Sequence, residues 1–405
     1  MDVAIRTIGE QEFASFVHAT EAAFGGAATP GEVENERTIA ELDRSFAAFD
    51  GDEIVGTAAG LSLRAVVPGG AELPLAGVTG VGVLPSHRRR GINTALMRHV
   101  LDQARERGEP LAGLFASEGA IYGRFGFGLA TLIGRMDIET DRSAFVRGYR
   151  ASGRVRMRAI DDAIPIIVSV YERTRRGRPG AIALDERWVR YMLHEHGPDK
   201  DLPVFAAIHE GTAGPDAYAV YKIKHEWPGS VPQLELAVRD VQATTPQAYA
   251  DMWRFLFDVD LVNRVTAWDR PSDEPLLHLL AEPRRLRLTL KDGLWLRLVD
   301  VPTALASRGY AGSGRLVLDV EDRFCVWNRG RFALEVGEGS ASCAPTREPA
   351  DLSCSVNDLG AVFLGGASFR RLHRANQVTE ERPGALERAD ALFASDPAPW
   401  CPFVF

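Results

Sequence analysis

The sequence predicts a mixed α/β (α+β) fold divided into three domains. Alternating apolar strands occupy residues 46–85, and from Asn93 the apolar residues recur at helical spacing before a further strand begins. A fainter copy of this strand and helix order occurs at 204–261, and strands with short helical pieces are predicted beyond about residue 290. Because the chain has 405 residues, it also exceeds what one hydrophobic core usually organises.

The composition is that of a soluble globular protein, with 45% hydrophobic and 25% charged residues. A net charge of −8 argues against a general nucleic-acid binder and suits cationic small partners, although solubility alone would explain it. The N-terminal sequence MDVAIRTIGEQEF lacks the basic and then apolar pattern of a secretory signal, and no apolar run of about 18 residues is present. The sequence therefore predicts a cytoplasmic protein with no membrane segment.

Four cysteines lie in the last quarter of the chain, and none of them belongs to a CxxC motif or a histidine cluster. Zinc sites usually show such close ligand spacing. We therefore expect no metal site, and we expect reduced thiols at Cys325, Cys343, Cys354 and Cys401.

The first sequence unit begins with a predicted β-hairpin. Residues 46–67 form two apolar, β-branched runs around the turn residues Asp50, Gly51 and Asp52. A third strand is predicted at 73–85, where three glycines would let another backbone or a ligand approach closely.

A helix is predicted directly after the basic sequence HRRRG. Apolar side chains then recur with helical period, Asn93 or Thr94 can cap the helix, and Gly108 closes it. A buried strand is predicted at 111–117 and a short helix, broken by glycines, at 118–128.

The second unit repeats the first in element order but lacks its basic loop. Residues 204–224 repeat the strand, turn and strand pattern, and residues 233–261 repeat the strand, connection and helix pattern. The connection VRDVQATTPQAYADMW contains no arginine cluster and no glycine before its helix, so we expect this unit to be structural.

Changes in composition mark the predicted domain divisions. The basic segment 147–163 indicates a boundary near residue 150, and a final helix is predicted at 383–394, before the tail DPAPWCPFVF. We therefore expect domains at 1–150, 151–290 and 291–405.

Residues 87–93 combine two features of a phosphate site. A helix N-terminus preceded by glycine supplies several N–H donors in a row, and arginine side chains supply positive charge. The position of the arginines at a strand-to-helix junction favours a diphosphate site over the alternative, a solvated basic turn.

The segment VGVLPSHRRRGINTALM resembles the acyl-CoA-binding signature of the GNAT acetyltransferases, a strand followed by Gln/Arg-x-x-Gly-x-Gly/Ala and a helix. Arg88, Gly91 and Asn93 occupy the signature positions, and Asn93 departs from the usual small residue. Downstream, ASEGAIYGRFGFG is similar to the GNAT pattern of a tyrosine a few residues before a Gly-Phe pair. Together with the length, the degenerate second unit and the terminal aromatic residue, these motifs make the whole chain resemble the Eis (enhanced intracellular survival) family.

This resemblance implies two tandem GNAT-like domains followed by a sterol-carrier-protein-like α+β domain. Residues 1–150 would be the catalytic domain with an acetyl-CoA site, 151–290 a degenerate copy, and 291–405 a domain whose terminus enters the active site. The family also implies acetyl-CoA as the cosubstrate, small-molecule amines, including aminoglycosides, as acceptors, and a homo-oligomer, typically a hexamer.

The resemblance further implies which residues bind acetyl-CoA. The strand backbone at Val81 and Val83 would pair with the pantetheine amides, while both side chains can equally belong to the core. Ser117 is expected to cap the following helix, with a backbone contact to the cofactor as a second role. Backbone N–H groups of the loop would hold the diphosphate, namely those of Arg88, Arg89, Gly91 and Ile92.

Aminolysis of a thioester needs a base for the amine and benefits from an acid for the departing thiolate. Tyr122 is the candidate acid, since an ordinary tyrosine keeps its proton at pH 7; without the resemblance it would be an amphipathic core residue. The resemblance implies that the terminal carboxylate of Phe405 is the base. The proline-stiffened, apolar tail supports this role, although a terminus that only covers an apolar patch would share those features.

Acidic and aromatic residues near the N-terminus are candidates for the acceptor site. The acidic run 31–44 follows Phe24, and the resemblance implies an acidic, aromatic-lined mouth here, the alternative being a solvated helix face. Glu118 could favour an incoming cation. Val404 stands where aminoglycoside-modifying relatives tend to carry an acidic residue, which argues against broad aminoglycoside acetylation.

The sequence thus predicts an acetyl-CoA-dependent N-acetyltransferase that acts on primary amines, such as aminoglycosides, polyamines or lysine-like acceptors, by direct attack on the thioester. Two alternatives stay open: a lipid or sterol carrier with vestigial GNAT domains, and a protein lysine acetyltransferase. No nucleic-acid or membrane partner is expected.

Overall fold

The computed structural model describes residues 3–146, 148–193, 201–226, 233–337 and 339–405. Arg147, at the start of the expected boundary segment, therefore lies outside the described residues. The first part of the chain contains β1 (Ala4–Thr7), α1 (Phe13–Ala23), α2 (Pro30–Arg37), β2 (Ser45–Asp50), β3 (Glu53–Val66), β4 (Glu72–Val83), α3 (Ile92–Glu106), β5 (Leu111–Phe115), α4 (Gly119–Tyr122), β6 (Gly128–Leu129) and β7 (Leu132–Glu139).

The middle of the chain repeats this order of elements. It contains β8 (Arg154–Arg158), α5 (Ile160–Arg175), α6 (Glu186–Leu193), β9 (Phe205–Gly211), β10 (Gly214–Glu226), β11 (Gln233–Ala243), α7 (Pro246–Phe257), β12 (Val262–Pro271), α8 (Leu276–Leu279) and β13 (Thr289–Asp292).

The last part of the chain forms a smaller α+β unit and a long tail. Its elements are β14 (Leu294–Leu298), α9 (Val301–Ser307), β15 (Gly314–Glu321), β16 (Gly330–Gly337), β17 (Ser340–Pro345), β18 (Leu352–Ser355), α10 (Val356–Phe363), α11 (Phe369–Arg374), β19 (Thr379–Glu380) and α12 (Ala385–Phe393).

Within the described ranges, three β-sheets organise these elements. The first sheet has the strand order β1-β2-β3-β4-β5-β14-β6, the second β13-β7-β12-β11-β10-β9-β8, and the third β17-β16-β15-β18-β19. Among the described residues, each of the two larger sheets contains a single parallel pair, β4 with β5 in the first and β11 with β12 in the second. This equivalence confirms the predicted mixed α/β fold with a duplicated unit.

Strands cross between the two larger sheets. Strand β7 precedes the expected division near residue 150, yet it pairs antiparallel with β12 in the second sheet. Strand β14 follows the division near residue 290, yet it pairs antiparallel with β5 in the first sheet. The two sheets are therefore interlocked, and the divisions near 150 and 290 stay a prediction about domains.

Helix α3 covers the first sheet with an apolar face. Leu96, Met97 and Leu101 on this face have no exposed surface. The helix begins at Ile92, and the residue at its N-cap is Gly91, which has a left-handed backbone and offers no side-chain cap. The expectation of an Asn93 or Thr94 cap is therefore wrong, because the chain enters the helix through a left-handed turn at Gly91, two residues before Asn93.

The C-terminal unit is docked on the first sheet through a close contact of backbones. Helix α10 presents Gly360 to the carbonyl oxygen of Leu296, and any Cβ at position 360 would overlap that oxygen. On the other side of the contact, a Cβ at Gly128 would overlap the Asn357 carbonyl oxygen. The Asn357 side chain donates hydrogen bonds of 2.8 Å to the Gly123 and Phe127 carbonyls, which are not part of the C-terminal unit.

The structure can also be compared with the sequence-based expectations for membrane helices and for the cysteines. None of the helices in the described part of the chain has the length and apolar character needed to cross a membrane. All four cysteines are unpaired thiols, and burial raises the pKa of Cys325 to about 11 and that of Cys343 and Cys401 to about 12. These thiols therefore stay protonated at neutral pH.

The Gly360 contact predicts a strong effect of a small substitution. Gly360→Ala should lower the free energy of unfolding by about 2 kcal/mol or more, because the new methyl group meets backbone that cannot move away independently. Gly31→Ala in α2, where a Cβ meets no neighbour, is the matched control and should leave stability unchanged or slightly raised. Urea unfolding measures both; an equal effect of the two substitutions would show that the contact is not tight.

Candidate active site

The site begins where the two central strands of the first sheet diverge. Strands β4 and β5 pair only at Leu75 with Leu111, Ala76 with Ala112 and Gly77 with Gly113. Beyond this point β4 continues to Val83, and its other edge remains paired with β3. A V-shaped fork results, with one edge of β4 open to a ligand.

The open part of β4 carries Val81 and Val83. Both side chains are partly buried and pack against the apolar cluster under α3. Their backbone lies on the β4 segment beyond the last pair with β5. The sequence allowed two interpretations of Val81 and Val83, a side chain in the core and a backbone that binds a ligand. The structure is compatible with both at once.

The loop between β4 and α3 has the backbone geometry of an anion-binding turn. Arg89 (φ 64°) and Gly91 (φ 81°) both adopt left-handed conformations, which turn successive N–H groups toward one side. Because Gly91 provides no side-chain cap, the first N–H groups of α3, from Ile92 onward, remain available at the positive end of the helix dipole.

The three loop arginines differ in their contacts. Arg88 donates to the carbonyl oxygens of Val83 and Ala23, at 3.4 and 3.2 Å, and so ties the loop to β4 and the end of α1. Arg90 donates to the Ser86 carbonyl at 3.2 Å. Arg88 therefore shapes the loop as well as adding charge.

A cavity of about 440 Å³ lies in the mouth of the fork, between β4, β5, α1 and α2. It collects five of the residues predicted from sequence, Phe24, Val81, Ser117, Tyr122 and Phe405. The remaining predicted residues do not line it, namely Val83, Arg88, Arg89, Gly91, Ile92 and Glu118.

Tyr122 lies at the end of the short helix α4 and is only 6% exposed. Burial raises the pKa of its phenol above the ordinary value, and a hydrogen bond with Ser117 opposes part of this increase. The phenol therefore keeps its proton at neutral pH, as a proton donor must.

Ser117 was expected to cap the helix that carries Tyr122, and that expectation is wrong. The residue at the N-cap is Glu118, without a side-chain capping bond, because the helix begins only at Gly119. The Ser117 side chain instead acts on Tyr122, lowering the pKa of its phenol against the effect of burial. Glu118 is exposed and lies outside the cavity lining.

A buried arginine side chain, Arg297, contacts the turn that follows Tyr122. Arg297 on β14 has no exposed surface, and its guanidinium donates to the Phe125 carbonyl and to Asp322 of the C-terminal unit. Gly126, with a φ of 87°, leaves the space that this guanidinium occupies, since a Cβ there would overlap it. The C-terminal unit thus fixes the segment that carries the tyrosine.

The terminal residue, Phe405, lies at the point where the fork opens. Its ring packs edge-to-face against Phe115 with 5.4 Å between centroids, and a Cβ on Gly77 would lie 3.1 Å from it. Gly77 is the last residue of β4 that pairs with β5. The ring is 9% exposed, so the end of the chain is packed into the structure.

The tail reaches this position by crossing the second sheet. Ala398 accepts a hydrogen bond from Arg178 at 2.8 Å, and its N–H donates to Asp273 at 3.1 Å. The Trp400 N–H donates to the Pro179 carbonyl at 2.8 Å, and its indole N–H donates to the Asp269 carbonyl at 2.7 Å. Hydrogen bonds to the second unit therefore define the route of the terminus.

The second sheet has a fork of its own, and the tail crosses it. Strands β11 and β12 pair from Leu234 with Val262 to Val238 with Ala267 and then diverge. The Asp269 carbonyl that binds Trp400 lies on β12 beyond this divergence. Helix α7, in the position equivalent to α3, is capped internally by the Thr245 hydroxyl.

One side of the cavity at the fork is acidic. Glu21, Glu36 and Glu41 line it, and no Lys or Arg is among its lining residues in the described ranges. Glu36 accepts a 2.8 Å hydrogen bond from Tyr191 of α6, a residue from the second unit that also lines the cavity. Sequence reasoning included Glu36 and Glu41 in an acidic run but missed Glu21 and Tyr191, because only the packing of α1 and α6 brings them here.

Comparison with known proteins identifies the family. Residues 4–130 and 180–298 match two acetyltransferase (GNAT) domain families, and residues 301–402 match a sterol carrier protein domain family. The chain is similar to the N-acetyltransferase Eis of Mycobacterium tuberculosis, at 36% identity over 375 residues that cover 89% of each chain. The chain belongs to the Eis family of GNAT N-acetyltransferases. It is therefore an N-acetyltransferase with two GNAT domains and a sterol-carrier-like domain, as the sequence predicted.

Other relatives agree with this assignment. An uncharacterized N-acetyltransferase of Streptomyces avermitilis is 42% identical over 410 residues, and the match covers both chains completely. The crystal structure of Eis1 from Mycobacterium abscessus superposes with a TM-score of 0.87 at 32% identity, covering 99% of this chain and 100% of that one. A GCN5-related N-acetyltransferase from Anabaena variabilis, at 21% identity and a TM-score of 0.88, shares the fold.

The route of the tail predicts how easily the terminus can be detached. Trp400→Phe removes the indole donor to Asp269 and should speed the release of the last residues by carboxypeptidase several-fold, because the tail opens more often. Trp327→Phe removes a similar bond, to the Val299 carbonyl, away from the tail and is the matched control. Mass spectrometry follows the release; equal rates in both variants would show that Trp400 does not hold the tail.

Proposed function

We propose that the chain transfers an acetyl group from acetyl-CoA to a primary amine by direct aminolysis, without a covalent enzyme intermediate. The observation that carries the proposal is the cavity at the fork, where Tyr122, the chain terminus and three glutamates line one space. A proton donor, a terminal carboxylate and a cation-attracting wall are the groups that this reaction needs.

The loop and the fork support the binding of acetyl-CoA. The N–H groups of Arg88, Arg89, Gly91 and Ile92 would hold the diphosphate, helped by the uncapped start of α3 and the left-handed turns. The open backbone edge at Val81 and Val83 would hold the pantetheine amides, with a backbone contact at Ser117 beyond them. When bound, acetyl-CoA supplies a thioester as the acetyl donor.

Tyr122 would act as the general acid. Its proton is retained at neutral pH because burial raises the pKa of the phenol, and its position in the cavity lining lets it meet the departing sulfur. A thiol has a pKa near 8.5, so a thiolate leaving group accepts a proton readily from a donor within reach.

The terminal carboxylate of Phe405 would act as the general base. An acceptor amine arrives mostly as an ammonium ion and must lose a proton before it can attack. A carboxylate at the end of a chain that is packed against Phe115 can take this proton inside the cavity. Hydrogen bonds of Ala398 and Trp400 to the second domain would help to keep the carboxylate there between turnovers.

The cavity favours a cationic acceptor. Glu21, Glu36 and Glu41 attract an ammonium group, and Phe24, at 55% exposure, offers an aromatic surface at the entrance. Val404 is 52% exposed beside the terminus and adds no charge there. We therefore propose polyamine or lysine-like amines as better acceptors than aminoglycosides, because Val404 stands where aminoglycoside-modifying relatives tend to carry an acidic residue.

Family resemblance also supports a cytoplasmic homohexamer. The lipid-carrier alternative is less well supported, because a protein whose GNAT domains had become scaffolding would have no need of Arg88, Gly91 and Tyr122, and all three are present.

A thiol-release assay with acetyl-CoA and three acceptors, a polyamine, an aminoglycoside and a lysine peptide, tests the proposed function. We expect the fastest release with the polyamine, and a background rate from Tyr122→Phe, which keeps the ring and loses the proton donor. No release with any amine, together with no binding of acetyl-CoA, would refute the enzymatic proposal.

A C-terminal extension tests the base. One glycine added after Phe405 relocates the carboxylate and should lower kcat about 100-fold or more, with the affinity for acetyl-CoA nearly unchanged. One glycine inserted after Met1 is the matched control and should leave kcat unaltered. Full turnover by the C-terminally extended chain would exclude the terminal carboxylate as the base.

A further inference from the structure

One side chain of the sterol-carrier-like domain bridges both ends of the turn that follows Tyr122. The amide nitrogen of Asn357 donates one hydrogen bond to the Gly123 carbonyl and one to the Phe127 carbonyl, each of 2.8 Å. An asparagine amide has two hydrogens, so both of them are used here. Both acceptors lie in the first GNAT domain, and Gly123 precedes Asn357 by 234 positions in the chain.

Helix α10 does not need the Asn357 side chain for its own start. Its N-cap is Ser355, whose hydroxyl accepts from the Asp358 N–H, and the Asp358 carboxylate accepts in return from the Ser355 N–H at 2.8 Å. Asn357 lies between these two residues and is partly buried. Because the capping box already satisfies the start of the helix, the Asn357 amide is left to serve the neighbouring domain.

The segment that carries Tyr122 has little rigidity of its own. Helix α4 is a single turn of four residues, and four of the ten residues from 119 to 128 are glycines. A single helical turn gains too few hydrogen bonds to be stable alone, and glycine adds backbone freedom. The direction of the phenol therefore depends on contacts from outside the segment.

The turn held by Asn357 is coupled directly to Tyr122. Gly123 follows the tyrosine in the chain, and the Phe127 N–H donates to the Tyr122 carbonyl at 3.3 Å. The Phe127 ring also packs edge-to-face on the Tyr122 ring, with 6.3 Å between centroids. Arg297 holds the middle of the same turn, so Asn357 fixes its two ends. A shift of either end would move the tyrosine through both backbone and ring.

We propose that Asn357 is a positioning residue for acetyl transfer, because it directs the phenol of Tyr122 toward the departing sulfur. As the amine nitrogen bonds to the acetyl carbon, the C–S bond of the thioester breaks and the sulfur keeps its electron pair. Tyr122 gives the sulfur a proton, solvent returns one to the tyrosinate, and the amine proton leaves through the terminal carboxylate. The proposal rests on the proposed role of Tyr122 as the acid. It gives the sterol-carrier-like domain a part in catalysis that requires no lipid.

Substitution of Asn357 should leave the chain folded. A cavity of about 1,100 Å³ lies beside the contact and is lined by Gly123, Phe127 and Asn357. Water can therefore reach the two carbonyls when the amide is removed. Asn357→Ala removes both donors, whereas Asn357→Ser offers one hydrogen and can hold one carbonyl at most.

A double-mutant cycle on the full chain tests the proposal. Thiol release with acetyl-CoA and a polyamine is measured for wild type, Asn357→Ala, Tyr122→Phe and the double variant, with enzyme in excess so that slow transfer stays measurable. Asn357→Ala should lower kcat about 10-fold with both KM values nearly unchanged, since a misdirected acid weakens only the transition state. Asn357→Ser should fall between wild type and Asn357→Ala. In the Tyr122→Phe background, Asn357→Ala should change kcat less than about 2-fold, because no acid is left to position.

Ser368→Ala is the matched control in the same domain. Ser368 is also partly buried, but its hydroxyl caps α11, where it accepts from the Arg371 N–H at 3.2 Å. It should leave kcat unchanged. Fluorotyrosine labelling gives a readout that does not depend on activity, since comparison with Tyr122→Phe identifies the fluorine NMR resonance of Tyr122. Asn357→Ala should shift or broaden this resonance, and Ser368→Ala should not.

The outcomes separate this proposal from the proposed function. If Tyr122→Phe lowers kcat but Asn357→Ala does not, or if the Tyr122 resonance is unaffected by Asn357→Ala, the positioning role is wrong and the acid is retained. An equal fall of kcat on Asn357→Ala with and without the Tyr122 hydroxyl would show a merely structural contact. Full turnover by Tyr122→Phe would refute the acid itself, and the positioning role would fall with it.

Discussion

The divergence of β4 from β5 is the constraint on which the rest of the structure depends. Pairing ends at Gly77 and Gly113, and beyond this point β4 has one open backbone edge and β5 leads directly to Ser117 and Tyr122. If β4 and β5 stayed paired along their whole length, the backbone groups of this edge would be used in hydrogen bonds between the two strands. No space for a cofactor would then exist between the strands. Glycine at the point of divergence also leaves room for the ring of Phe405.

The duplicated domain makes sense as a support for this fork. Its own fork is crossed by the tail, its helix α7 is capped by Thr245, and its strand β12 binds Trp400 through the Asp269 carbonyl. A free chain end would fray, because the last residues of a chain lose conformational entropy on ordering and few contacts compensate for it. Hydrogen bonds along the route, together with the packed ring of Phe403 against Tyr171, supply that compensation.

Local signals in the sequence predicted much of the fold. The change from strand to helical period after HRRRG marks α3, and the turn at Gly51 marks the hairpin of β2 and β3. Errors arose where a boundary depends on backbone conformation, as at Gly91, which takes the N-cap in place of Asn93, and at Glu118, which takes it in place of Ser117. The alternative N-cap positions lie only one or two residues apart, and the spacing of apolar residues does not distinguish between them.

Long-range features of the site could not be derived from the residues themselves. The exchange of β7 and β14 between sheets, the route of the tail and the arrival of Glu21 and Tyr191 all depend on contacts between distant segments. The proposed role of Phe405 came from family resemblance, since nothing local distinguishes a catalytic terminus from one that covers an apolar patch. The assignment of Tyr122 also came from the resemblance, carried by a short continuous motif, since the residues alone favour an amphipathic core tyrosine.

The central claim has two parts. Contacts with the second domain position the chain terminus at the fork, and its carboxylate acts there as the base beside Tyr122, the acid. A crystal structure with coenzyme A and a polyamine bound tests it most directly. The account predicts a terminal carboxylate oxygen about 3 Å from the reactive nitrogen, or one water away from it. A carboxylate turned out of the cavity, with another side chain of the protein contacting that nitrogen, would contradict it.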